Sequence, residues 1–246
     1  MITGRKPGDV RKLVGVLFGP PKTAKTTTAC PPNTLLISFD PGGPDTETLI
    51  GREDIVVVEP KSLKETMDLI TALETTDRGR FDWVSVDSIT FMMDRFGGAE
   101  VYKAYQEGKD VRRPYGKLGA SANQVISRLV HLEDQNVLFV AHLVNKENDQ
   151  DTVVDQELGE SVVKLAVPPS VWKLLGPAVG FIGRTFRRTE YVKDSQNKRN
   201  KVTNYYVSFN DGERSPAGSR YTMDGEYLSG TSLLADLAKA IIKEKK

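Results

Sequence analysis

The feature that most constrains this chain is an apolar run, Leu13–Phe18 (LVGVLF), that breaks at Gly19-Pro20-Pro21 and re-enters helix-compatible sequence at Lys25. The run has the length of a buried strand, and the Gly-Pro-Pro break is a strong turn signal. Residues Gly19, Pro20, Pro21, Lys22, Thr23, Ala24, Lys25, Thr26 and Thr27 fit the pattern G-x-x-x-x-[G]-K-[ST], with alanine at the second glycine position. The spacing has a mechanism. A loop that leaves a strand and opens a helix turns successive backbone N–H groups inward, and these, with the helix N-terminus, hold phosphate oxygens. Lys25 would reach the β and γ phosphates of a nucleotide, and the Thr26 hydroxyl would ligate Mg²⁺. Ala24 is the smallest side chain that can replace the glycine, although its Cβ restricts the torsions a glycine would supply.

The rest of the chain repeats the alternation. Buried-strand runs are expected at Leu35–Phe39, Ile55–Val58, Trp83–Asp87 and Val137–Ala141. Helices are expected at Lys25–Cys30, at Ser62–Leu73 with a capping box from Ser62 and Glu65, and at Asn123–Leu132. Strands alternating with helices, each strand continuously apolar, predict an α/β fold with a mostly parallel central sheet and flanking helices. Beyond it, Asn145–Glu160 is polar and acidic and reads as a long loop. Val179–Val192 and Val202–Phe209 read as a β-hairpin joined by Lys193–Lys201, and Ser232–Ile242 as a terminal helix.

Two strand ends extend the phosphate-binding reading. Trp83–Asp87 is an apolar strand ending in an acid, which suits a carboxylate that reaches Mg²⁺ from a neighbouring strand. An aspartate there also suits a cap for the following helix. Val137–Ala141 ends at His142, where a polar side chain can sense a γ-phosphate or simply hydrogen-bond the strand end. Lys25, Asp87 and His142 are therefore the candidate catalytic residues, with Thr26 and Asp87 the candidate metal ligands.

Length and composition set the frame. The 246 residues suit one large domain, 39% hydrophobic and 27% charged, with a net charge of +1 that does not by itself announce a nucleic-acid partner. A basic surface must then come from local clustering, and Gly108–Gly119 (GKDVRRPYGKLG) supplies one, with Lys109, Arg112, Arg113, Tyr115 and Lys117. Cations that track phosphates around a ring that stacks on a base suit a single strand, and the same cluster suits an ordinary solvated loop. The lone Cys30 permits no intramolecular disulfide and reads as a small buried residue. No apolar run approaches the roughly 18 residues of a membrane helix, and Met1–Lys12 lacks the apolar stretch of a secretory signal. These features predict a cytoplasmic protein without a membrane partner. The organisation expected is an N-terminal arm over residues 1–12 and a single nucleotide-binding domain over 13–246, with the hairpin extension at about 178–209 and the terminal helix at about 232–242.

Taken together, GPPKTAKTT (19–27), LLISFDPGG (35–43), FDWVSVDSIT (81–90), VLFVAH (137–142), AVGFIGRTFRR (178–188) and AGSRY (217–221) resemble the RecA-core P-loop ATPases of bacteriophages and related mobile elements. These are RecA- and RadA-like single-strand annealing and recombination proteins, and the resemblance spans roughly residues 13–221. It implies a RecA-like P-loop NTPase core that binds ATP and Mg²⁺. It implies that Lys25 and Thr26 hold phosphates and metal, that Asp87 supports the metal, and that His142 senses the γ-phosphate and passes its state to Leu143–Glu160. The implied partners are single-stranded DNA, further copies of the chain and a single-strand binding protein. Arg184, Arg187, Arg188 and Arg220 are candidates for the basic residue that such assemblies present to a neighbour's ATP. One departure stands out: where relatives carry a water-activating glutamate after the second strand, this chain has Gly42, with Asp45 and Glu47 further along the turn.

Overall fold

The structure, a computed structural model, describes residues 10–40, 49–143, 153–155, 160–162, 165–193, 199–210, 215–223 and 225–243. Asp45, Glu47 and Gly42 lie outside the described residues, as does most of the N-terminal arm. In chain order the elements are β1 (Val14–Gly19), α1 (Lys25–Ala29), β2 (Thr34–Ser38), β3 (Ile55–Val58), α2 (Leu63–Glu74), β4 (Trp83–Asp87), α3 (Ile89–Met93), α4 (Ala99–Gln106), α5 (Arg112–Val130) and β5 (Asn136–His142). They continue with β6 (Val153–Asp155), β7 (Glu160–Val162), α6 (Pro169–Ala178), β8 (Phe181–Lys193), β9 (Arg199–Ser208), β10 (Gly218–Ser219), β11 (Glu226–Leu228) and α7 (Leu233–Lys243).

The main sheet runs β11-β9-β8-β1-β5-β4-β2-β3, with β10 on β8. Every pairing from β8 through β1, β5, β4 and β2 to β3 is parallel, whereas β9, β10 and β11 pair antiparallel. This is the α/β architecture expected, a mostly parallel central sheet with flanking helices. Alternation along β1 sends Val14, Val16 and Phe18 to one face and Leu13 and Leu17 to the other. The first face is covered by α2, α3, α5 and α6 through Ile70, Met92, Val125, Ile126 and Val171, and the second by α7 through Leu234 and Ala238. Burial on both faces explains why β1, β2, β4 and β5 read as apolar runs, whereas β3, expected to be buried, is the edge strand and exposes Val56 and Val57. Among the described residues no helix is long and apolar enough to cross a membrane.

Two expectations are corrected. Gly108–Gly119 is not a loop: from Arg112 onward it forms the first turns of α5, which starts eleven residues before the expected Asn123. Glycine and proline suggested a break, but Pro114 falls in the first turn, where its missing N–H has no helical partner to lose. The Asp110 carboxylate accepts the Arg112 N–H at 3.0 Å just ahead of that turn. Gly119 lets α5 pack close to α6, where a Cβ would meet Ser170 Oγ at 3.2 Å. The stretch 145–160 is not wholly a loop either, because β6 and β7 pair antiparallel with Val153 opposite Val162. The valines of the two short strands are β-branched and favour extended backbone.

β1 and β8 approach so closely at Gly15 that a Cβ there would lie 2.1 Å from the Phe181 ring. Gly15→Ala is expected to lower unfolding free energy by about 1–3 kcal/mol through overpacking, read as a shifted urea midpoint with an unchanged slope.

Candidate functional site

Because β1, β5, β4 and β2 are adjacent and parallel, their carboxyl ends share one edge of the sheet, where open α/β sheets form their ligand crevice. In register, Gly19 lies beside His142, and Asp87 lies beside Ser38, two residues before Asp40. Topology alone therefore brings the phosphate-binding loop, the strand-end acid and the strand-end histidine to one place.

The loop closes on itself. Thr23 Oγ1 donates to the Pro20 carbonyl at 2.8 Å, and the Thr28 N–H donates to the Ala24 carbonyl at 3.0 Å, making the first turn of α1. Ala24 has φ 61° and ψ 28°, the left-handed conformation that favours glycine, so the alanine is accommodated with the glycine-type backbone kept. Lys25 is buried, with its ammonium donating to the carbonyls of Gly19 at 3.0 Å and Pro20 at 2.6 Å. Burial lowers its pKa to about 8, against a smaller opposing pull from Asp87. The Thr26 hydroxyl donates to Asp87 Oδ2 at 2.5 Å. Burial raises the pKa of Asp87, the charge of Asp40 adds to the rise, and Thr26 and Lys25 oppose it. Capping of α3 falls to Ser88, whose Oγ accepts the Phe91 N–H at 3.3 Å, which leaves the Asp87 carboxylate for the crevice.

His142 stands between the loop and Asp87 at the tip of β5, edge-on to Phe91 with ring centroids 5.2 Å apart. Its Nε2 is buried and has no hydrogen-bond partner among the described residues. Burial and then the Lys25 charge lower its pKa, so the ring is held neutral. The backbone around it is tied into the following segment: the His142 N–H donates to Thr90 Oγ1 at 3.3 Å, Thr90 Oγ1 donates to the Ala166 carbonyl at 3.2 Å, and the Ala166 N–H donates to the His142 carbonyl at 2.8 Å.

A family model described as an AAA domain matches residues 11–221. The chain belongs to that AAA-domain family. Comparison with curated proteins gives no match. Among solved structures it is similar to the RadB recombinase, at 15% identity over 79% of this chain and 86% of that one with a TM-score of 0.41. It is also similar to the flagellar accessory protein FlaH from Methanocaldococcus jannaschii, at 10% identity over 88% and 84% with a TM-score of 0.41. The family and the loop make this a P-loop ATPase fold, which implies nucleotide binding, usually with Mg²⁺. The donors present suit that ion: a hydroxyl and a carboxylate are hard oxygen ligands, already adjacent at Thr26 and Asp87.

The AAA-domain chain also has site features that sequence reasoning missed. Thr185 on β8 is fully buried, and its Oγ1 lies 2.7 Å from Thr23 Oγ1 and donates to the Phe18 carbonyl at 3.2 Å. It packs so tightly that a Cβ on Gly19 would fall 2.3 Å from the Thr185 carbonyl oxygen. Nothing in the local sequence announces this contact across 162 residues. Asp40 is the other, since its charge reaches both Asp87 and His142. A strand ending in an acid was its available signal.

The basic cluster lies on the turn before α5 and on its first turns, apart from these residues in sequence and element. Lys109 pairs with Glu107 at 2.6 Å, and Arg112 stands 3.9 Å from Asp110 with its side chain 92% exposed. Arg113 and Lys117 are exposed, and Tyr115 joins Tyr102 and Tyr105 along a cleft of about 700 Å³. Of the four arginines considered for contact with a neighbour, Arg188 is paired with Glu226, Arg220 donates to the Pro177 carbonyl, Arg184 is half-buried and Arg187 is exposed.

The loop geometry is open to two measurements. Ala24→Gly relieves the left-handed strain and is expected to raise stability by about 0.5–1 kcal/mol after the added chain entropy of glycine, measured by urea unfolding. For Lys25 the folded pKa is depressed, so the unfolded chain binds the extra proton between about pH 8 and 10.5. Stability of the nucleotide-free protein should therefore rise with pH across that window. Lys25→Met should lack that component of the rise, which thermal unfolding at pH 7.5, 9 and 10.5 would reveal.

Proposed function

We propose that this P-loop ATPase binds ATP with Mg²⁺ and hydrolyses it, and that the state of the γ-phosphate controls its grip on single-stranded DNA, which it anneals or recombines as a homo-oligomer. One observation carries the coupling: His142, with an orphaned buried ring nitrogen at the crevice, is bonded through Thr90 to Ala166 on the segment that leads away from β5. In this reading Lys25 exchanges the Gly19 and Pro20 carbonyls for phosphate oxygens. Thr26 and Asp87 would hold Mg²⁺, which would supply positive charge beside the phosphates. The Gly19–Thr27 backbone cradles the anion, and His142 donates or accepts a hydrogen bond at the γ-phosphate. The exposed cations Arg112, Arg113 and Lys117, with Lys109 and Tyr115, contact DNA.

Asp40 takes the part that Gly42 leaves open. It follows the end of β2, two residues after Ser38, which lies beside Asp87, its charge reaches both Asp87 and His142, and as a general base it would accept the proton of the attacking water. The alternative is a nucleotide-gated binding module without turnover, motivated by that same glycine. Asp40→Asn separates them. Loss of a general base is expected to lower kcat by about 10²- to 10⁴-fold with ATP affinity retained. An unchanged kcat would remove Asp40 from the chemistry.

The reading as a whole is tested by ATP hydrolysis with and without single-stranded DNA. Turnover that DNA stimulates and that Lys25→Ala abolishes supports it. Nucleotide binding that changes DNA affinity without any turnover selects the binding module instead.

A further inference from the structure

The β8–β9 hairpin continues for ten residue pairs, from Arg184 opposite Ser208 to Lys193 opposite Arg199. Successive side chains of a strand point to opposite faces, so the register sorts the hairpin into two surfaces. On one, the Phe186 and Tyr206 rings stack with centroids 5.6 Å apart, and the Arg188 guanidinium lies over both. Arg188 is also held by both carboxylate oxygens of Glu226, at 3.0 and 2.8 Å. On that surface Arg188 is therefore engaged by an acid and two rings.

The opposite surface differs. Arg187 pairs with Tyr205, Tyr191 with Lys201, and Lys193 with Arg199. The Thr189 and Thr203 hydroxyls, 3.1 Å apart, bridge the strands between the first two pairs. All of these side chains are exposed, Tyr191 to 70% and Tyr205 to 39%. Among the described residues this face carries no acid, and none of its four cations makes an ion pair. It spans roughly 20 Å at about 3.4 Å per residue.

We propose that this face of the hairpin is a single-stranded DNA-binding ribbon, with Arg187, Lys193, Arg199 and Lys201 on phosphates and Tyr191 and Tyr205 stacked on bases. The inference deepens the single-stranded DNA reading above and rests on it. Four unpaired cations select a polyanion, and exposed ring faces select one whose bases are unstacked, which a duplex does not offer. A second copy docking the same face by two-fold symmetry would bring eight like charges together. The root of the ribbon is bonded to the nucleotide loop: Thr185, two residues before Arg187 on the same face, holds Thr23. Thr185 is thus a positioning residue through which a change in the loop reaches the hairpin.

The test is binding of a fluorescent oligothymidylate by the full chain over a range of salt, with ADP or a non-hydrolysable ATP analogue present. Combined Lys193→Ala, Arg199→Ala and Lys201→Ala should weaken binding at least tenfold and flatten the salt slope by about 2, at roughly 0.7 for each phosphate no longer neutralised. Combined Tyr191→Ala and Tyr205→Ala should weaken it about tenfold or more with the salt slope unchanged. Thr185→Val should reduce the difference in affinity between the two nucleotides, and Thr185→Ser should retain it. Wild-type binding that survives both hairpin variants but falls with Arg112→Ala and Arg113→Ala overturns the ribbon and leaves the single-stranded DNA reading standing. Loss of self-association in the cation variant, with DNA binding intact, overturns it in favour of an interface between copies. No binding of the strand by wild type with either nucleotide overturns both readings.

Discussion

Lys25 and Asp87 are buried within the same crevice, and the rest of the site is arranged around keeping both there. A buried ammonium is costly unless its protons are satisfied, and the two carbonyls of Gly19 and Pro20 do this by holding the loop wrapped over the lysine. A buried carboxylate has the same problem, and Thr26 supplies its hydrogen bond. Both partners are groups that a phosphate and a metal ion can replace. The closed loop is therefore stable without nucleotide and still presents a set of donors and acceptors that nucleotide can take over. Asp40 raises the electrostatic demand by setting a second negative charge near Asp87. A divalent cation held by Asp87, as proposed above, would relieve that repulsion.

The left-handed Ala24 belongs to the same balance. Its conformation costs about 1–2 kcal/mol relative to a residue in the right-handed region, yet it lets α1 begin with its N–H groups facing the crevice. Strain held at a site by surrounding structure is compatible with function, and here that structure is identifiable. Thr185 bonds Thr23 and the Phe18 carbonyl on either side of the turn, and Gly19 lacks the Cβ that would push β8 away. The loop geometry depends as much on a strand from the far half of the chain as on its own sequence.

This dependence explains what was legible in the sequence and what was not. β1, β2, β4 and β5 could be read because burial on both faces leaves few polar interruptions, Ser85 in β4 being one, and the ends of β4 and β5 could be read because Asp87 and His142 end apolar runs. α2 could be read from Ser62, which accepts the Glu65 N–H as expected. The start of α5 could not, because Gly108, Pro114 and Gly116 carry the same local signal whether they break a helix or begin one. Only packing against α6 and the Asp110 hydrogen bond decide it. The partnership of Thr185 with Thr23 was invisible for a different reason. It joins residues that neither periodicity nor spacing relates, and it depends on β8 adding to the sheet beside β1.

The hairpin shows how far a register carries an argument that composition cannot. Read as a string, 184–201 is a basic stretch with one tyrosine and two acids, and every arginine in it is an equal candidate for an ATP, a neighbour or a nucleic acid. Strand pairing divides it. Arg188 falls on the face with Phe186, Tyr206 and Glu226, where the two rings and both carboxylate oxygens of Glu226 engage its guanidinium. Arg187, one residue away, falls on the other face, where no described residue forms an ion pair with it. Adjacent residues of the same type are thus separated into a structural and a free role by a period of two. The free face lies on the same strand that clamps the nucleotide loop, so surface chemistry and coupling to the loop coincide on β8.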